Sequence, residues 1–185
     1  MATLNPNVYF WEEKDPEASD MVLNMPYPKY AMLYNAAMKI AYRQHMGQVD
    51  LSGKRYINHP IRVSDACDSA RQKVVALLHD VVEDTDYTID DLHNDVHIKD
   101  YPEIIEAVDA LTRRDGESYM DFIRRVSKNG IALCVKIRDL EDNLDCKRIP
   151  DMKEEDWSRM KKYYKARKFL LDRYYEHYGL EKTEV

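Results

Sequence analysis

No CxxC pair occurs in these 185 residues, and the three cysteines, Cys67, Cys134 and Cys146, are odd in number and widely spaced. A disulfide framework is therefore not expected; the pattern suits a reducing compartment, and the cytoplasm is the expected location. Nowhere are there ~18 consecutive apolar residues, so no membrane-spanning helix and no membrane partner are expected. The opening "MATLNPNVYFWEEKDPE" lacks the basic region and apolar run of a signal peptide. Basic residues are in deficit, 28 Lys and Arg against 34 Asp and Glu for a formal charge of -6. That balance argues against a broad phosphate-backbone footprint and so against nucleic acid as a partner, while leaving room for a local basic pocket around a small anion. Repeats, low-complexity tracts, linkers and strand-like alternation are scarce or missing as well.

What remains reads as helices. With 44% hydrophobic and 34% charged residues, the chain has the make-up of a globular protein of one domain. Residues 1–27, with Pro6, Pro16 and Pro26, show no sustained period and are read as an irregular N-terminal arm; residues 28–185 form the domain. "PKYAMLYNAAMKIAYRQHMG" has helical spacing of apolar residues with Gly47 as its stop. "NHPIRVSDACDS" offers Asn58 as a cap and Pro60 in the first turn, "QKVVALLHDVVED" reads as one further helix, and Thr88 with Asp91 resembles a capping box. Helices also fit "PEIIEAVDALTRR", "ESYMDFIRRVSKN", "GIALCVKIRDLEDNLD" and "EEDWSRMKKYYKARKFLLDRYYEHYG", so the predicted class is all-α, a compact multi-helix bundle.

The segment "ALLHDVVEDT" sets His79, Asp80, Glu83 and Asp84 among Leu, Val and Ala. On a wheel of ~100° per residue the apolar side chains take one half and the four titratable ones the other. An amphipathic helix with a solvated acidic face is one reading of that pattern. Two other segments favour a second reading. "YINHPIRV" carries His59 and "VKIRDLEDNLD" carries Asp139, and with His79 and Asp80 they make a His-His-Asp-Asp set of nitrogen and oxygen donors. Such a set suits one divalent metal with positions left for water and a phosphate oxygen.

The ordered series His59, His79-Asp80, Asp139 resembles the HD superfamily of metal-dependent phosphohydrolases. More narrowly, "YINHP", "ALLHDVVEDT" and "KIRDLEDNL" are similar to the hydrolase domain of RelA/SpoT-type alarmone enzymes and their small stand-alone relatives. The match runs from about residue 30 to residue 164, leaving no room for a synthetase domain. The resemblance implies that His59, His79, Asp80 and Asp139 bind one ion, with Mn²⁺ expected, which polarises a phosphoryl group and activates water. It implies that Glu83 and Asp84 orient or deprotonate that water, without deciding which is the base. It further implies that Asn143, one turn beyond Asp139, and Tyr56 contact a small nucleotide substrate, the reaction being 3'-pyrophosphohydrolysis of (p)ppGpp to GDP or GTP and pyrophosphate.

One departure stands out. Where the family carries Arg-Lys before "SGxPYIxHP", this chain has Asp50-Leu51, so Lys54 and Arg55 are the expected suppliers of positive charge. The alternatives are an HD phosphatase or nucleotidase for another phosphorylated metabolite, and a nucleotide-binding protein without turnover. Arg113-Arg114 and Arg124-Arg125 are read as solvated doublets that a polyphosphate could also meet. The "DWSRMKKYYKARK" segment is read as a packing helix with buried Trp and Tyr bodies, in preference to a nucleotide gate or a single-strand platform. His93 and His97, four apart, are not assigned to a metal.

Overall fold

The computed structural model describes residues 27–148 and 152–179. The expected N-terminal arm lies outside them, except that Tyr27 opens the first helix, α1 (Tyr27–Gln44). Gly47 follows in a turn at φ 84°, a conformation that costs a glycine little. Helix α2 (Asn58–Asp65) begins without a side-chain cap, so the expected role of Asn58 is corrected: it is the first helical residue, and Ile57 precedes the helix. A tight turn replaces the cap, because the Asn58 and His59 amides donate to the Arg55 and Tyr56 carbonyls at 3.1 and 2.8 Å.

The single helix expected over "QKVVALLHDVVED" is two, α3 (Ala70–Leu78), opened by a Ser69–Gln72 capping box, and the one-turn α4 (Val81–Asp84). His79 and Asp80 sit at the break between them. The chain continues through α5 (Ile89–Asn94), whose Thr88–Asp91 capping box is present as read, and α6 (Pro102–Leu111), with proline in its first turn. Helix α7 (Tyr119–Val126) is capped by Ser118 and α8 (Gly130–Asn143) by Asn129; a short 3-10 turn, Cys146–Arg148, precedes the long α9 (Glu154–Tyr178). The architecture is all-α, and the only β pairing among the described residues is the isolated Val49–Arg55 bridge. No helix among them is long and apolar enough to cross a membrane.

Helix α3 is the hub, packed against α1, α2, α6 and α8, while α8 also packs against α2 and α9. Val74, Val75, Leu77 and Leu78 are fully buried, each burial favouring the fold by roughly 1.5–3 kcal/mol. The expected burial of Trp157 and Tyr164 is corrected: they are 49% and 63% exposed. Helix α9 buries the stripe through Ala166 and Leu170, with Tyr163 half-buried beside it, and both other aromatics fall off that stripe.

The arginine doublets are largely engaged within the protein. Arg124 pairs with Asp121 at 2.6 Å and Arg114 with Asp109 at 3.3 Å. Arg125 donates five hydrogen bonds, to both Glu117 carboxylate oxygens and to the carbonyls of Asp109, Ala110 and Thr112 at the end of α6. It thereby caps carbonyls that a helix end leaves without partners and sets a positive charge at the negative pole of the helix. Arg125→Met is expected to cost about 2 kcal/mol in urea unfolding at neutral pH, the scale of hydrogen bonds to a charged group. Bonding to Arg125 holds the Glu117 carboxyl at about 2, below its ordinary 4.5. A depressed carboxylate stabilises the fold above its unfolded pKa, and that contribution is lost as pH falls from 4.5 towards 2. The variant should show a shallower loss over that window, and an unchanged acid profile would refute the pairing.

Candidate metal centre

The break between α3 and α4 aims His79 and Asp80 at the start of α2 and the middle of α8. His59 Nε2, from α2, lies 3.6 Å from Asp80 Oδ2 and 3.1 Å from Asp139 Oδ1. His79 Nε2 lies 3.0 Å from Asp80 Oδ2 and 3.7 Å from Asp139 Oδ1. His59, His79 and Asp80 form a group of three donors with mutual separations within 4.8 Å, and Asp139 Oδ1 faces both histidines. Thus segments 80 residues apart in the chain converge, as the sequence pattern predicts.

The tautomers follow from the outer partners. His79 Nδ1 is 2.7 Å from the Ala76 carbonyl, which can only accept, so Nδ1 carries a hydrogen and, in the neutral ring, Nε2 carries the lone pair. That Nε2 is buried and makes no hydrogen bond, although a carboxylate oxygen stands 3.0 Å away. With the ring neutral two acceptors face each other there, an arrangement that a proton or a metal cation between them relieves. The residues therefore fit a divalent ion, and a His-His-Asp cluster of this kind is a metal-binding site in its donor chemistry. His59 Nδ1 is likewise fixed, donating to Asp142 Oδ2 at 2.6 Å, and Arg62 holds the same carboxylate from Nε at 2.6 Å and Nη2 at 3.0 Å.

The electrostatics agree. Burial disfavours charge on His79, yet the Asp80 and Asp139 carboxylates outweigh it and push the imidazole up to about 10. The negative potential that attracts a proton to that ring acts equally on a metal ion, and the two compete for one lone pair. Burial also opposes charge on Asp139, but Lys136, His59 and His79 hold its carboxyl well below the usual range. The Lys136 ammonium is 2.7 Å from Asp139 Oδ2; burial lowers its proton affinity, and the Asp139 and Asp80 charges raise it further than burial lowers it.

The remaining expected residues divide. The Tyr56 hydroxyl donates to Asp80 Oδ2 at 2.5 Å and to Asp84 Oδ2 at 3.3 Å. Burial and the Asp80 charge raise its pKa, so the hydroxyl keeps its proton and can donate it in these contacts. Desolvation and the Asp80 and Glu83 charges raise the Asp84 carboxyl above its ordinary value. Glu83 Oε2 instead accepts the Arg113 amide at 3.0 Å. Asn143 donates to Asp139 Oδ1 at 2.6 Å and to the Asp139 carbonyl at 3.1 Å, buttressing the carboxylate.

Lys54 and Arg55 are not brought to the cluster. The Arg55 guanidinium donates to the Tyr42 hydroxyl at 2.7 Å and lies 5.4 Å from that ring's centroid, while Lys54 is exposed. Asp50 is used by its own loop, accepting from the Ser52 amide and hydroxyl and the Lys54 amide at 2.7–2.9 Å. Three residues of the site were not singled out from sequence: Asp142, Arg62 and Lys136. Asp142 and Lys136 stand three residues either side of Asp139 and so share its helix face, a spacing that was available as a signal.

No protein-family model matches the chain. Among curated proteins it is 33% identical over 122 residues to the bifunctional (p)ppGpp synthase/hydrolase SpoT of Escherichia coli (strain K12), a match covering 58% of this chain and 17% of that one. It is 29% identical over 128 residues to a probable GTP pyrophosphokinase of Mycobacterium leprae (strain TN), covering 64% of this chain and 16% of the relative. This chain is similar to RelA/SpoT enzymes over part of its length. It spans about a sixth of the length of those two, the matches covering 16% and 17%. Among solved structures, a metazoan ortholog of SpoT that hydrolyzes ppGpp matches with a TM-score of 0.57 at 23% identity, covering 85% of this chain and 99% of that one. The chain therefore shares that ortholog's all-α fold, the fold that the resemblance through "YINHP", "ALLHDVVEDT" and "KIRDLEDNL" implies.

Proposed function

We propose that this chain is a metal-dependent phosphohydrolase that removes pyrophosphate from the 3' position of (p)ppGpp, leaving GDP or GTP. The observation that carries the reading is the buried, unpartnered His79 Nε2 facing Asp80 Oδ2 within the His59-His79-Asp80 cluster. His59, His79, Asp80 and Asp139 would hold the ion, with Mn²⁺ as our choice. A divalent ion in that place supplies polarisation of a phosphoryl oxygen and activation of water near neutral pH.

The chain's own residues do the rest. Tyr56 turns its one hydroxyl hydrogen chiefly to Asp80, at 2.5 Å, and stands 3.3 Å from Asp84, so it bridges the two carboxylates. Asp84 is the stronger candidate for the base that takes the water's proton, because Glu83 is turned to the Arg113 amide. Asp142 and Arg62 orient His59, and Asn143 steadies Asp139 rather than reaching first for the nucleoside. The hydrolase domain in this reading includes Tyr27, which opens α1, and the chain that follows it. The free cysteines, Cys67, Cys134 and Cys146, accord with the cytoplasm as its place.

The loop at Asp50-Leu51 favours a second reading, a different phosphorylated metabolite. Asp50 is folded into its own turn and Leu51 is 76% exposed, so neither offers a phosphate a positive charge. Metal-stripped protein restored with Mn²⁺ and incubated with ppGpp decides between them. Pyrophosphate release that disappears in Asp80→Ala supports the alarmone hydrolase. No release from wild type that binds Mn²⁺ rejects ppGpp and turns the search to a panel of other phosphorylated compounds.

A further inference from the structure

Lys136 stands one helical turn before Asp139 on α8, and nothing beyond its pairing with that carboxylate accounts for it. Its side chain is only 14% exposed, an unusual place for an ammonium. The Asp139 carboxylate is divided: Oδ2 takes Lys136 at 2.7 Å, and Oδ1 faces His59 and His79 at 3.1 and 3.7 Å. Lys136 carries three hydrogen-bond donors, and Asp139 is its one acceptor among the described residues. The ammonium also lies 5.3 Å from the centroid of the Phe122 ring. Beside that ring, at 6.2 Å between centroids, is Tyr119, whose hydroxyl is buried without a hydrogen-bond partner. Two polar groups thus flank Phe122 with hydrogen-bonding capacity unused, next to the metal donors.

Charge explains what they await. Neutral His59 and His79 with ionised Asp80 and Asp139 carry two negative charges, which a divalent ion cancels. An ion and its four donors alone then have little attraction for a phosphate, whereas the Lys136 ammonium beside Asp139 adds a positive charge at that edge of the site. Were its only purpose to neutralise Asp139, burying the pair would cost desolvation with little net return.

We propose that Lys136 is a phosphate-binding residue of this site, its ammonium held in place by Asp139 and donating its spare hydrogens to a phosphoryl oxygen of the substrate. The inference rests on the reading of the cluster as a metal-dependent phosphohydrolase site, but it does not depend on which phosphorylated compound is the substrate. The test uses the full chain, with Mn²⁺ alone and then inorganic phosphate at saturating Mn²⁺ titrated calorimetrically into wild type, Lys136→Gln and Lys136→Arg. Lys136→Gln is expected to bind Mn²⁺ at least as tightly as wild type, since a neighbouring cation is gone. It should bind phosphate about tenfold to a hundredfold more weakly, the loss of a charge-assisted hydrogen bond, and Lys136→Arg should recover part of it. Phosphate affinity unchanged in Lys136→Gln, or Mn²⁺ affinity falling in its place, would overturn the proposal and leave Lys136 as a support for Asp139. Absence of phosphate binding by Mn²⁺-loaded wild type would overturn it too. Should Lys136→Gln fail to fold, Lys136→Arg decides: wild-type Mn²⁺ affinity with phosphate binding retained supports the proposal, and phosphate binding retained only in step with Mn²⁺ affinity opposes it. A wild type that binds phosphate through Lys136 but leaves ppGpp intact would reject the alarmone substrate alone.

Discussion

Asp139→Asn is expected to remove tight divalent-ion binding and to destabilise the protein by about 3–5 kcal/mol, the cost of breaking a buried ion pair from one side. Both effects come from the divided carboxylate. Oδ1 is lost as a charged donor beside His59 and His79, and Lys136 is left as a buried cation without its counter-charge. The two effects separate in a double variant. Asp139→Asn with Lys136→Met removes the pair together, so urea unfolding should return most of the stability while Mn²⁺ titration shows no recovery of binding. Mn²⁺ affinity within tenfold of wild type in the single variant would remove Asp139 from the ligand set. Stability unchanged in the single variant would show that the pair is not buried as described.

Asp142→Ala is expected to weaken ion binding by roughly 10–100-fold, the usual cost of losing an outer partner of a metal-binding histidine. Asp142 accepts from His59 Nδ1 at 2.6 Å and so keeps Nε2 of that ring aimed at Asp139 and Asp80. Without it the ring is free to rotate and to change tautomer. Arg62, 37% exposed on its side chain, can turn to water, so little stability is lost through the arginine itself. Asp142→Asn retains an oxygen for His59 and should lie between wild type and the alanine variant. Mn²⁺ binding isotherms for the three proteins check the order, and equal affinities would show that His59 needs no such support.

The parts of this fold that were legible in the sequence are those decided by near neighbours. Thr88 and Asp91 make their capping box within one turn, and Gly47 marks a turn at positive φ. Val74, Val75, Leu77, Leu78 and Val81 are buried as their spacing predicts, Val82 is half-buried, and His79 from the other half of the wheel is buried too. The four donors were legible as residue types in order, and the resemblance to RelA/SpoT hydrolases named them as a set. The break at His79-Asp80 was not legible, because the apolar stripe runs unbroken from Val74 to Val81 and periodicity has no term for a carboxylate drawn to Tyr56, 24 residues earlier.

Charge assignments fared worst. Lys54 and Arg55 look available in the sequence, yet Arg55 is engaged by Tyr42 and Lys54 faces solvent; the buried cation at the cluster is Lys136. Arg125 looks like half of a surface doublet and is the cap of another helix. The sequence by itself determined the helical class and several helix ends, because local hydrogen bonding and apolar period act over a few residues, and its ordered His and Asp types offered the candidate donors. Only the tertiary structure decided which side chains meet. Asp142 orients His59 from 83 residues away, and an ammonium or carboxylate acquires its role from whatever the fold brings within 3 Å of it.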